Sequence, residues 1–302
     1  MRQEAGLWLS FSHERELLAR SRYRPPVAPL TPTDVRALLA DHQLAPRRAL
    51  GQHFLADPNT ARRIVRLADL KPGARVLEIG PGLGSLTVAL AEAGAHVRAV
   101  EVDPQLVAVL DEAVAGLDDV TVVEGDALTF DLSCLDDGPW ACVSNLPYNV
   151  ATPIVIRLLE EAPTVTRFVV MLQREVGERL AAPPGHPAAG AASVKVAYYA
   201  QARIVGVVPP SVFIPAPAVD SVLVRLDRHP APPVAVSSPD QLFTLVRAGF
   251  GHRRKMLRGA LRSQLGSRTQ AVLTAAGIAP SIRAEALSLD EWASLSRAAD
   301  AN

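Results

Sequence analysis

The chain predicts an α/β protein: a mostly parallel, doubly wound sheet followed by a small helical domain. Three observations carry this. Short Val-, Leu- and Ile-rich runs recur between residues 75 and 172 and alternate with helical patterns. A glycine loop, Gly80-Pro81-Gly82-Leu83-Gly84, follows the first run. Polar residues close the runs at Glu78, Glu101, Asp126 and Asn145, on the edge where open parallel sheets bind ligands.

Taken in order, Thr31 or Thr33 caps a helix through Val35, Leu38 and Leu39. A second helix follows Asp57, with Ile64, Val65 and Leu67 on one face. Arg75 to Ile79 is a buried strand closed by glycines, and a helix with Leu86, Val88, Ala89 and Leu90 comes next. Val97 to Val100 is a strand ending at Glu101; Leu106, Val107, Val109 and Leu110 mark a helix. Val120 to Val123, Trp140 to Ser144 and Phe168 to Leu172 are three further strands. Residues 203–208 and 219–224 read as later strands that close the sheet. His229 to Pro239, rich in Pro, Ala and Ser, reads as a linker. Short helical patterns then run from Leu242 to about Ala299. The expected division is an extension over 1–30, poorly ordered; a sheet-bearing domain over 31–228; and a helical domain over 238–302.

Composition narrows the class. At 49% hydrophobic, 302 residues can bury a sizeable core. No apolar run is long enough to span a bilayer, and the amino terminus shows no signal-peptide pattern. Cys134 and Cys142 are too few and too far apart for a disulfide framework, so a reduced cytoplasmic protein is expected. A net charge of +0 does not by itself favour nucleic acid; local clusters matter more. Basic residues gather at Arg47, Arg48, Arg62 and Arg63, and again at His252, Arg253, Arg254, Lys255, Arg258 and Arg262. Each cluster has the alternative reading of a solvated face.

The glycine loop permits unusual dihedrals and lets a ligand touch backbone at Gly80 and Gly82. Glu101 lies about twenty residues further on, where an acidic side chain accepts from ribose hydroxyls. The spacing is Gly-x-Gly-x-Gly, not the dinucleotide Gly-x-Gly-x-x-Gly. A cofactor without pyrophosphate does not need the longer loop, so S-adenosylmethionine fits better than NAD. Asp126 is placed to accept from an adenine amine, with a simple helix cap as the alternative.

Asn145-Leu146-Pro147-Tyr148 suits a flat base carrying an exocyclic amine. The lone pair of such an amine is delocalised into the ring. Acceptors on its two N–H groups favour a more tetrahedral nitrogen with an available pair. The Asn145 side-chain oxygen and the Leu146 carbonyl can supply them, Pro147 stiffens the turn, and Tyr148 stacks on the base. No strong base is required before attack, so catalysis rests on orientation and electrostatics. The alternative is an ordinary strand-end turn.

With these motifs in place, the chain resembles the KsgA/RsmA family, the small-subunit (16S) ribosomal RNA adenine N6,N6-dimethyltransferases. The resemblance spans residues 42–295. Gly51-Gln52-His53-Phe54-Leu55 resembles the amino-terminal signature, Glu78 to Gly84 the cofactor loop, and Asn145 to Asn149 the catalytic motif. Met171 to Val176, Ser193-Val194, Phe213 to Pro217 with Val219-Asp220-Ser221, and Phe250 with Arg253 to Leu257 follow in order. The resemblance implies a class I methyltransferase fold, Rossmann-like, with a small carboxyl-terminal helical domain. It implies S-adenosylmethionine held at His53, Leu55, Gly80, Glu101, Asp126 and Asn145. It also implies Phe213 joining Tyr148 around the flipped base, with a core aromatic as the alternative for Phe213 and a packed or capping side chain for His53. Two adjacent adenosines near the RNA 3′ end would each receive two methyl groups, on a small-subunit precursor. A monomer is the default expectation, and no metal is expected because no partner with ligand spacing lies near His53. Leu50, where the family often has Phe, and the Ala-rich Pro187 to Ala192 depart from the pattern. Two other readings stand beside this one: a large-subunit adenine N6-methyltransferase of the resistance type, and a ribosome-assembly binding factor.

Overall fold

The computed structural model describes residues 28–47, 50–135, 138–252 and 255–301. Most of the expected extension, residues 1–27, lies outside them. Its last residue does not behave as part of a loose tail. Leu30 is fully buried, and its N–H donates to Ser85 Oγ at 3.1 Å.

Helix starts follow local capping chemistry. Thr31 and Asp34 form a reciprocal capping box at α1 (Pro32–Asp41). After the short strand β1 (Phe54–Leu55), Asp57 caps α2 (Pro58–Ala68) by accepting from Asn59 N–H at 2.9 Å. Then come β2 (Arg75–Ile79), α3 (Ser85–Glu92) and β3 (His96–Glu101). Asp103 caps α4 (Pro104–Ala113), and β4 (Val120–Glu124) and β5 (Trp140–Asn145) follow. Further on lie α5 (Ala151–Glu161), β6 (Val165–Gln173), α6 (Arg174–Ala181) and α7 (Ala191–Tyr199). β7 (Ala200–Val208), β8 (Phe213–Ile214) and β9 (Ser221–Arg228) complete the strands.

Seven strands form one sheet in the order β4-β3-β2-β5-β6-β9-β7. β9 runs antiparallel to both neighbours, and the five strands from β4 to β6 are parallel. Strand order reverses between β2 and β5, the crevice where a doubly wound sheet accepts ligands. There the Ile79 N–H donates to Ser144 Oγ at 2.9 Å and holds the ends of the two strands level.

Both sheet faces are covered. Ile154, Val155 and Leu158 of α5 pack on Leu77, Cys142, Phe168 and Val170. Ile64 of α2 and Leu86 and Leu90 of α3 pack on Val76, Val97, Val143 and Met171. Close approach matters at α6. A Cβ on Gly177 would lie 2.2 Å from Val222 Cγ2 and 3.1 Å from Val224 Cγ2, both on β9. Gly177→Ala is therefore expected to cost about 1–3 kcal/mol, because the helix must lift off the sheet. Urea denaturation would read this as a lower midpoint at unchanged slope.

After the linker come α8 (Pro239–Gly251), α9 (Leu257–Ala260), α10 (Arg262–Leu265), α11 (Thr269–Ala275) and α12 (Leu289–Ala301). Their core includes Phe243, Val246, Leu273, Trp292 and Leu295. It also takes in Val194 and Tyr198 of α7 and Val234 of the linker. These helices thus pack on the sheet-bearing part through α7, and the linker contributes an anchor as well as a connection.

The expected strands at 203–208 and 219–224 are shifted: β7 begins at Ala200, and β9 runs from Ser221 to Arg228. Val219 and Asp220 leave the ladder in a turn, with Val219 47% exposed. No helix among the described residues is long and apolar enough to cross a membrane.

Candidate active site

The carboxyl ends of β2, β3 and β5 open into a cleft. Gly80, at φ +66°, marks its floor, and a Cβ there would sit 3.1 Å from Pro147 Cδ. The cofactor loop and the clamp motif are therefore in contact, with no room for a side chain between them. Gly51 plays the same part above. At φ +64°, its Cβ would come within 3.2 Å of the Tyr148 nitrogen. Two residues that favour left-handed backbone thus bring three sequence motifs together.

Glu101 is 5% exposed and lines the cleft. Its Oε2 accepts from Gly82 N–H at 3.1 Å, and its Oε1 accepts from Val102 and Asp103 N–H at 3.0 and 3.1 Å. Burial pushes its pKa up, against the lowering effect of these three donors, and nearby Asp103 adds repulsion. Oε1 already accepts twice, so Oε2 alone retains capacity for a further donor such as a sugar hydroxyl. Asp126 is placed differently. It is exposed beyond β4, its Oδ1 accepts from Leu128 N–H at 2.9 Å, and it is absent from the cleft lining. Its hydrogen bond closes a turn over residues 126–129, where no helix begins, so the helix cap of its alternative reading is not formed either.

Asn145 ends β5, and its Nδ2 donates to the His53 carbonyl at 3.1 Å. A carbonyl can only accept, so the NH₂ must face His53 and the amide oxygen must face away. That oxygen, Oδ1, is buried and has no hydrogen-bond partner. Leu146 is 1% exposed, and its N–H donates to the Met171 carbonyl at 3.3 Å, which pins the main chain at the mouth of the cleft. The Tyr148 ring stacks on His53 at 5.2 Å between centroids, 28° from parallel. Its hydroxyl meets Ser221 Oγ at 2.6 Å, and burial raises its pKa.

The segment preceding β1 is latched across the cleft. Gln52 Nε2 donates to Asp103 Oδ2 at 3.1 Å, Gln52 Oε1 accepts from Arg47 N–H at 2.8 Å, and Arg47 pairs with Asp103 at 3.3 Å. Arg47 also contacts Gln105. His53 Nδ1 lies 2.7 Å from the Pro215 carbonyl. Leu55 is 4% exposed, lines the cleft and pairs with Phe213 in the β1–β8 ribbon.

Phe213 departs from its expected place. It is 3% exposed, packs in the core beneath the ribbon, and is not part of the cleft lining. Pairing with Leu55 turns its ring inward, as its alternative reading had it. The basic clusters divide. Arg47 is committed to Asp103, Arg62 to Glu92 at 3.1 Å, and Arg63 to the Val207 carbonyl at 3.1 Å, whereas Lys255, Arg258 and Arg262 are exposed. Arg48, Arg253 and Arg254 lie outside the described residues.

Sequence reasoning passed over Gln52, Ser221 and the chemistry of Glu78. The first two lay inside quoted motifs; nothing local showed that they tether across the cleft. Ser221→Ala is expected to lower kcat by roughly 2- to 10-fold by freeing the Tyr148 ring, with donor affinity unchanged. Single-turnover rates and equilibrium binding would separate the two quantities.

The chain is similar to proteins of known kind. The family model described as ribosomal RNA adenine dimethylase matches residues 44–300. A ribosomal RNA small subunit methyltransferase A of Acidothermus cellulolyticus is 47% identical over 277 residues, covering 89% of this chain and 94% of the relative. Its counterpart in Thermobifida fusca is 48% identical over 271 residues, covering 87% and 94%. Among solved structures, a dimethyladenosine transferase from Plasmodium falciparum superposes with a TM-score of 0.66 at 25% identity, covering 80% of this chain and 96% of that one. The 23S rRNA methyltransferase ErmE gives 0.64 at 29% identity, covering 82% and 99%. Motifs, sheet order and relatives agree: the chain belongs to the ribosomal RNA adenine dimethylase family.

Proposed function

We propose that this protein transfers methyl groups from S-adenosylmethionine to N6 of two adjacent adenosines near the 3′ end of small-subunit (16S) ribosomal RNA, giving dimethyladenosines. The carrying observation is the Asn145 amide, locked by the His53 carbonyl so that a buried, unpartnered oxygen faces away from it. A buried acceptor without a donor is costly, and an adenine amine supplies the missing N–H.

The cleft suits the donor molecule. Backbone at Gly80 and Gly82 is open to close approach, and Glu101 Oε2 offers a lone pair to a ribose hydroxyl. When bound, S-adenosylmethionine supplies an electrophilic methyl on a sulfonium and departs as the thioether. Asn145 Oδ1 and the Leu146 carbonyl accept the two N–H groups of the base and turn the N6 lone pair toward that methyl. Tyr148, anchored by Ser221, holds the ring plane. The N6 proton becomes acidic once the new N–C bond forms and leaves to solvent, so no strong base is required. The remaining roles proposed are a monomer acting on a small-subunit precursor, the helices after residue 238 meeting RNA phosphates through Lys255, Arg258 and Arg262.

The test is incubation with labelled donor and small subunits lacking the modification, followed by mass analysis of nucleosides. Dimethyladenosine at two adjacent positions is expected. Its absence, or methylation of large-subunit RNA instead, overturns the reading. The 47–48% identity to small-subunit enzymes favours that target over the one named for ErmE.

A further inference from the structure

Glu78 stands at the carboxyl end of β2, lines the same cleft as Gly80, Glu101 and Asn145, and is 1% exposed. Its Oε2 is buried and makes no hydrogen bond. The groups that act on it come from three elements. Glu101 on β3 repels its negative form. Cys142 on β5 is pushed up to about 12 by burial and stays neutral. The Thr87 hydroxyl on α3 favours ionisation but completes no hydrogen bond of its own. His53, from the segment above, borders the cleft as well. No cation among the described residues pairs with Glu78. A carboxyl so placed stays protonated until a positive charge arrives, and burial accordingly raises it to about 8.

The reaction proposed above brings such a charge and then removes it. The methyl donor carries a sulfonium; the spent product carries a neutral thioether. We propose that Glu78 is a charge-sensing group of the cofactor cleft, giving up its proton to solvent when the cationic donor enters and recovering one once the sulfur is neutral, so that the protein prefers donor to product. The inference deepens the proposed function and rests on it. Glu101 cannot play this part, because three backbone N–H groups already hold its oxygens.

The linkage has a definite sign. At pH values where Glu78 is protonated in both free and bound protein, binding releases nothing and affinity is flat. Between its lowered value with donor bound and its free value of about 8, donor binding releases a proton and tightens as pH rises. Above that value both forms are ionised and affinity is flat again. Donor and product share the adenosine and the carboxylate, but the sulfonium makes the donor's α-ammonium more acidic than the product's, so that titration remains in the ratio of their dissociation constants; it is common to the wild type and E78Q and cancels between the two proteins.

The experiment is calorimetry of S-adenosylmethionine and S-adenosylhomocysteine from pH 6.5 to 8.5, on the wild type and on Glu78→Gln. The ratio Kd(product)/Kd(donor) is expected to rise about tenfold more in the wild type than in E78Q, one unit of pKa change. The same pH dependence of the ratio in the wild type and in E78Q overturns the proposal. Infrared difference spectra of the wild type give a reading that needs no variant. A protonated-carboxyl band lost with donor but kept with product is expected; its persistence with both overturns the proposal. Failure of both ligands to bind would instead sink the proposed function itself.

Discussion

Asn145→Ala is expected to lower kcat by about 10²- to 10³-fold, the loss that follows removal of one preorganised polar group at a reacting centre. Two contacts disappear together. The acceptor for one N–H of the base is lost, and so is the donor to the His53 carbonyl. Single-turnover methylation under saturating donor measures the first, because the group acts on the nitrogen's lone pair during transfer. Donor affinity by equilibrium binding should change less, since the glycine loop and Glu101 remain. A rate within threefold of the parent would remove Asn145 from the mechanism. Asn145→Asp is the sharper control. It keeps an acceptor facing the cleft but sets a second oxygen against the His53 carbonyl, so the segment above the cleft should shift and the rate should still fall.

Glu101→Ala is expected to weaken donor binding by roughly 10- to 100-fold, the range for hydrogen bonds to a charged group. The effect has two sources. A ribose hydroxyl loses its acceptor, and Gly82, Val102 and Asp103 N–H lose the oxygens that fix the loop and the start of α4. The second source should also lower Tm, which a role confined to the ligand would not. Equal affinity and equal Tm would show that backbone alone holds the donor. Comparison with Glu78→Gln separates the two cleft carboxyls: Glu101 sets affinity for donor and product alike, whereas Glu78 sets how the donor-to-product ratio varies with pH.

Much of this was legible in the chain. The alternation of apolar runs and helical patterns from Arg75 to Leu172 corresponds to β2 through β6, because buried parallel strands must be continuously apolar. α1 and α2 were legible from Thr31 and Asp57, whose side chains satisfy N–H groups only a few residues away. α5 has the same local signal, since Ile154, Val155, Leu158 and Leu159 repeat at helical spacing, but it stands outside the sequence-based expectations, as do α6 and α7. The later strands were read with shifted ends, since the turn at Val219-Asp220 depends on pairing with β6 and β7, more than ten residues away in the chain.

The sequence by itself determined the fold class, the order of α1, α2, β2, α3, β3, α4, β4, β5 and β6, and the identity of Gly80, Glu101, Asn145 and Tyr148 as cleft residues. These follow from periodicity and from residue types whose chemistry is local. Only the tertiary structure decided where the rings and the unpaired oxygens point. Phe213 turned inward because β8 pairs with β1, Asp126 folded onto its own turn, and Ser221 reached Tyr148 across 73 positions. The physical reason is the same in each case. Hydrogen-bond partners and burial are properties of neighbours in space, and no window of sequence contains both sides of the cleft.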